Sequence, residues 1–113
     1  MEPRLRSDMV VTLLRRLAEA QGGFGAVLTR GDAAAGTIVV LLTERGRRAN
    51  LLERSLDVSG AYEWRDSSGQ ALHNDEEWQK FLDRKQRFDP DMWLIELDVP
   101  SAERFTAEMN ESV

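Results

Sequence analysis

Four carboxylates, Asp89, Asp91, Glu96 and Asp98, fall within the eleven-residue segment DPDMWLIELDV that ends at Val99. Carboxylates this close in sequence are the raw material of a divalent-cation site or of an acid–base pair. The segment also sets its own geometry. Pro90 lacks the N–H that a helix needs and biases Asp89 towards extended backbone, so the chain turns there. Trp93, Ile95, Leu97 and Val99 then recur at period two, the pattern of a strand with one apolar face. On such a strand Asp91 sides with Trp93 and Ile95, whereas Glu96 and Asp98 point the other way. Acids on two faces do not share one ion.

The spacing Pro90-Asp91 then Glu96-x-Asp98 has the outline of the metal-binding acids of nucleases, but Asp98 stands where that pattern has a lysine. Without the cation, nothing balances the anionic charge or orients water. His73 is the only histidine and cysteine is absent, so zinc would need carboxylates for most of its ligands. No metal site, no catalytic set and no cofactor are expected. Gly22-Gly23-Phe24-Gly25 is not a phosphate loop, because it follows a helix and opens a strand, the reverse of a nucleotide fingerprint. What is left is a sparse set of charged residues, Arg6, Arg30, Asp32 and Asp91, that would bind an anionic ligand if the fold gathered them around a pocket. Arginine suits that task because it grips carboxylate or phosphate in two places. Asp32 has a competing structural use, since aspartate in a turn accepts from nearby backbone N–H groups.

The elements that would position these groups are readable from periodicity. Val10, Leu13, Leu14, Leu17 and Ala18 form one stripe of a first helix, with Ser7 as its N-cap and Gly22-Gly23 as its stop. Phe24 to Arg30 alternates as a strand with Phe24, Ala26 and Leu28 on one face. A turn at residues 31–36 leads to Thr37–Glu44, whose β-branched and apolar run suits a central strand. Arg45 to Arg48 reads as a hairpin tip. Ala49–Leu56 returns as a strand whose Glu53 and Arg54 place it nearer an edge, and Ala61–Asp66 is a short fourth strand. Asn74 with Glu77 makes a capping box for a second helix that turns Trp78, Phe81, Leu82 and Phe88 inward. After the Asp89-Pro90 break and the fifth strand, Pro100-Ser101 opens a short helix with Ala102, Phe105 and Met109, and residues 110–113 are expected to fray. Phe24, Trp78, Phe81, Trp93 and Phe105 are the expected core aromatics.

At 113 residues and 42% hydrophobic content the chain suits one core, so residues 1–113 are read as a single α+β domain. Strands joined by short glycine turns favour an antiparallel meander of about five strands, with the two main helices packed on one face. No apolar run approaches a membrane span, and no secretory signal is apparent at the N-terminus. With cysteine absent, a cytoplasmic setting is expected. Residues 1–65 carry a net charge of +2 and residues 66–113 one of −7, which orients partners more readily than it binds nucleic acid.

Arg4-Leu5-Arg6-Ser7, the Arg15-Arg16 pair, Gly31-Asp32 with Ala35-Gly36, and Asp89-Pro90-Asp91-Met92-Trp93 occur together and in order. In these features the chain resembles the alphaproteobacterial family catalogued as domain of unknown function 1491. That family carries a tryptophan near the position of Val10. The resemblance implies a small cytoplasmic single-domain protein and brings no activity with it. The expected function is therefore a non-enzymatic module that acts through an unknown protein partner or as a homo-oligomer. The alternative is a small enzyme or anionic-ligand-binding protein with a pocket lined by Arg6, Arg30, Asp32 and Asp91.

Overall fold

The computed structural model describes residues 5–56, 58–67 and 69–112. Helix α1 (Ser7–Ala20) is followed by strands β1 (Phe24–Thr29), β2 (Ile38–Glu44), β3 (Arg47–Leu56) and β4 (Tyr62–Asp66). A 3-10 turn at Gly69–His73 leads into α2 (Asp75–Phe88), β5 (Trp93–Asp98) and α3 (Ala102–Ser112). The strands form one sheet in the order β1-β5-β2-β3-β4. The α+β class and the mostly antiparallel sheet are as expected.

Three details of the architecture correct the sequence reading. The sheet is not a meander: β5 inserts between β1 and β2, antiparallel to β1 and parallel to β2, with Ile38 opposite Trp93 and Leu42 opposite Leu97. Hydrophobic burial explains the insertion, because β2 and β5 are buried along nearly their whole length on both faces and the centre is where both faces are covered. Secondly, the helices do not share a face. Val10, Leu14 and Ala18 of α1 and Phe105 and Met109 of α3 pack on Val40, Leu42, Leu52, Trp93, Ile95 and Leu97. Trp78 of α2 packs instead on Val39, Leu41, Leu51, Met92 and Leu94, across the sheet. A strand that is apolar on both sides needs a helix on each. Finally, β3 lies one strand in from the edge, between β2 and β4, and the true edges are β1 and β4.

Position in the sheet also decides which aromatics are buried. Trp78, Trp93 and Phe105 are core residues and Phe81 is half-buried against the α2-side cluster. Phe24 is 57% exposed and Phe88 is 85% exposed. Phe24 lies opposite Asp98 on the edge strand, outside both core clusters. Phe88 is the last residue of its helix and likewise lies outside both core clusters.

The caps differ in the same instructive way. Asn74 Oδ1 accepts from the Glu77 N–H at 3.0 Å, the N-cap half of the expected box, while the Asn74 N–H donates to the Ala71 carbonyl at 3.5 Å rather than to Glu77. Ser7 is not the cap of α1 but its first helical residue. Its N–H and that of Asp8 donate to the Ala34 and Ala33 carbonyls at 3.2 and 3.0 Å, and its hydroxyl donates to the Gly36 carbonyl at 2.6 Å. A distant loop satisfies the orphan donors that a local side chain was expected to meet. At the other end of the chain, α3 continues to Ser112 rather than fraying at Asn110. Met109 is fully buried, and the Asn110 side chain accepts from the Trp64 N–H at 2.8 Å. Val113 lies outside the described residues.

Candidate functional site

Three of the four charged residues singled out by sequence meet at one corner, around Trp93. The Asp32 N–H donates to the Asp91 carbonyl at 2.9 Å. The Asp32 carbonyl in turn accepts from the Trp93 indole N–H at 2.7 Å and from the Gly36 N–H at 3.1 Å. Its carboxylate accepts from the Ala35 N–H at 2.8 Å, the turn-fixing role that aspartate plays in such loops. Arg30 lies with its guanidinium carbon 5.4 Å from the Trp93 ring centre, within cation–π range. Asp89 holds the other side of the corner by accepting from the Asp91 N–H at 3.2 Å.

This density of backbone bonds leaves no room for side chains at two positions. A β-carbon on Gly31 or on Gly36 would overlap the Asp91 carbonyl oxygen. The glycines of the 31–36 turn are therefore set by close approach of two loops, and the corner is a clasp between them. Because Ala33, Ala34 and Gly36 also receive the first donors of α1, the clasp fixes the helix to the sheet.

As a binding site the four residues do not come together. Arg6 is exposed and pairs with its neighbour Asp8 at 3.3 Å, an arrangement that contributes little in water. The Asp32 carboxylate is engaged by Ala35. Asp91 is exposed and takes part through its backbone. None of the four lines the cavity nearest to them, which lies on the α1 side of the sheet and measures about 170 Å3. Its walls include Leu5, Ser7, Ala35, Ile38, Arg54 and Tyr62.

The fifth-strand acids divide as the alternation requires. Asp98 accepts from the Thr43 hydroxyl at 2.7 Å and from the Gly46 N–H at 2.8 Å, pinning the β2–β3 hairpin to β5. Glu96 lies 3.3 Å from the same hydroxyl, while Asp91 belongs to the clasp. Among the described residues no group of three or more acidic, histidine or cysteine side chains is placed to hold a metal ion. His73 ends the 3-10 turn and is exposed.

Sequence reasoning missed two features. One is Arg54, which pairs with Trp64 across β3 and β4 and so lies on the apolar α1 side of the sheet. The signal was present: Arg54 is two residues from buried Leu52, at strand spacing on the same face. The other is the outer edge of β1, whose apolar side chains read as core because sequence gives alternation but not strand order.

An α+β sheet covered by helices on both faces, with a glycine-dependent loop clasp, is the class these observations define. The chain belongs to the family described as protein of unknown function DUF1491, whose model matches residues 5–107. It is similar to the crystal structure of a family member from Caulobacter crescentus, with 28% identity, 90% of this chain and 94% of that one covered, and a TM-score of 0.73. An NMR structure of a family protein from the same organism gives 27% identity, coverage of 93% and 94%, and a TM-score of 0.75. The solution structure of a protein from A. tumefaciens gives 31%, 92% and 93%, and 0.70. The search of curated proteins finds no match.

Proposed function

We propose that this protein is a non-enzymatic interaction module that associates with a second copy of itself along β1. The observation that carries the reading is the contrast between the sheet's two edges. An edge strand presents unpaired N–H and C=O groups to any passing strand, and proteins guard such edges with charge. In β4, Tyr62–Asp66, three of five residues are charged; in β1, Phe24–Thr29, none is. Phe24, Leu28 and Val27 are moreover 57, 50 and 38% exposed. A second copy suits this edge because antiparallel self-pairing closes as a two-fold dimer, and a charge-free strand meets its copy without repulsion. The reading places the module in the cytoplasm, in keeping with its lack of cysteine; no described helix is long and apolar enough to cross a membrane.

Light scattering across a dilution series of the full chain tests this directly. Dimer mass at the concentrated end, lost in Phe24→Lys/Leu28→Lys with an unchanged melting temperature, is the expected result. A wild-type chain that stays monomeric to about 1 mM, where an association is worth only some 4 kcal/mol, would refute it. So would a dimer that the double variant leaves intact.

A further inference from the structure

We propose that the groove between the C-terminal half of α2 and the sheet is a docking site for an acidic peptide segment of another protein, anchored by one aromatic side chain. This inference is separate from the β1 reading and uses different residues. Phe81, Arg84, Lys85 and Phe88 recur at i, i+3, i+4 and i+7, so they share one face of α2. With Val39 of β2 and Met92 just before β5 they line a groove of about 260 Å3. An apolar protein cavity of about 150 Å3 takes up benzene, so a groove of this size suits one aromatic side chain. Phe81 is half-buried and stacks on Trp78, with ring centres 6.0 Å apart. Phe88, two turns on, is 85% exposed and belongs to neither core cluster. Two rings on one helix face beside a groove form a patch rather than a scattered apolar residue, and such patches mark interaction sites.

Charge selects the partner. The acids along this flank are already engaged: Glu53 accepts from Lys85 at 2.6 Å, Asp83 from the Gln79 amide at 3.0 Å, and Asp89 from the Asp91 N–H at 3.2 Å. Arg84 and Arg87 are both exposed, and among the described residues neither has a hydrogen-bond or ion-pair partner. They stand three apart on α2, beside Lys80. The rim of the groove is therefore cationic in a chain whose net charge is −5, and each guanidinium can grip a carboxylate in two places. A second copy fits this face poorly, because two-fold pairing through it would bring two cationic rims together. A bilayer also fits poorly, because Asp83 and Asp89 flank the same arginines and a flat surface does not enter a groove. An acidic segment with one ring matches both shape and charge. Its ring would lie against Phe81, Phe88 and Met92, and its carboxylates would meet Arg84 and Arg87.

The probe is an acetylated pentapeptide amide with a central tryptophan between two pairs of glutamates. It is titrated into the 15N-labelled full chain and followed by NMR. Saturable shifts at Val39, Arg84, Phe88 and Met92 are expected, with a dissociation constant of about 1 mM or tighter, the scale on which one buried ring and two charged contacts act. A peptide with alanine at its centre, or with glutamines for its glutamates, should bind about tenfold more weakly or not at all. Phe88→Ala and the pair Arg84→Gln/Arg87→Gln alter exposed positions, so each should weaken the peptide about tenfold with an unchanged melting temperature. Phe24→Lys/Leu28→Lys, which tests the β1 reading, should leave peptide affinity as it is, so the two readings fail separately. The proposal is overturned by shifts that do not saturate, by either control peptide binding as tightly as the probe, or by full affinity in Phe88→Ala or in the double arginine variant. Co-sedimentation with phosphatidylserine vesicles in place of peptide binding, lost in Phe88→Ala, would assign the patch to a membrane and overturn it as well.

Discussion

The clasp around Trp93 and the outer edge of β1 flank the same strand, β5, yet their apolar groups have opposite fates. Trp93 is 2% exposed, covered by α1 and α3, and its one polar atom is bonded to the Asp32 carbonyl. Phe24 and Leu28 are as large and apolar as core residues but stand half or more in water. The difference teaches where this chain invests its order. At the clasp, two loops and a helix start are tied by backbone bonds that no single side-chain change can replace. Along β1 the chain leaves backbone and apolar groups on the outer edge, where a second strand can meet them. Residues that resemble functional groups in sequence, Asp32 and Asp91 above all, lie in the first region and act as structure.

That contrast can be broken at several points. The largest effect is expected for Trp93→Ala, which empties a fully packed site and takes one of its two donors from the Asp32 carbonyl; a loss of ~3–5 kcal/mol is expected from denaturant melts. A native circular dichroism spectrum with an unchanged melting point would show that Trp93 is not the centre of the clasp. Next comes Gly36→Ala, where the added methyl meets the Asp91 carbonyl oxygen and displaces backbone. It should cost about 1–3 kcal/mol, the usual penalty of overpacking, whereas Ala35→Gly one residue earlier should cost less than half of that. Equal losses at the two positions would refute the close-approach argument.

Asp32→Ala sharpens the comparison further, because it removes only the carboxylate that accepts from Ala35. About 0.5–2 kcal/mol is expected, by analogy with losing a helix cap, with Asp32→Asn recovering most of it. An anion-binding role for this residue predicts instead unchanged stability. The smallest effect belongs to the other region: Leu28→Lys should change monomer stability by no more than about 0.5 kcal/mol, as exposed sites do. A loss comparable to that of Trp93→Ala would place Leu28 in the core and remove the basis for association along β1.

Much of the fold was legible because local physics wrote it. Most of the α1 stripe holds, with Val10, Leu14 and Ala18 buried and Arg15 exposed, but Leu13 is 40% exposed and Val11 is buried in its stead; the Asn74 cap and the Asp89-Pro90 stop also hold, since each is decided by neighbours within four residues. Strand existence was equally clear from period-two patterns. The candidate site was legible only as residue types. Arg30, Asp32 and Asp91 do converge, but on a tryptophan and on each other's backbones rather than on a pocket. Arg54 went unweighted although it stands two residues from Leu52 on one face of β3, because alternation alone does not show that this face joins the α1-side core.

By itself, then, the sequence determined the α+β class, the order and approximate span of the elements, and that β2 was apolar enough to be central. Hydrogen-bond direction, capping and side-chain periodicity act over a few residues, and one chain carries them fully. Only the tertiary structure decided that β5 enters between β1 and β2, that the helices cover both faces, and that β1 is an edge. Those outcomes depend on which apolar surfaces find each other across 55 residues, where Ile38 meets Trp93 and Thr43 meets Asp98. A β-strand's alternation is the same whether its outer neighbour is another strand or water, so the exposure of Phe24 is written in strand order alone.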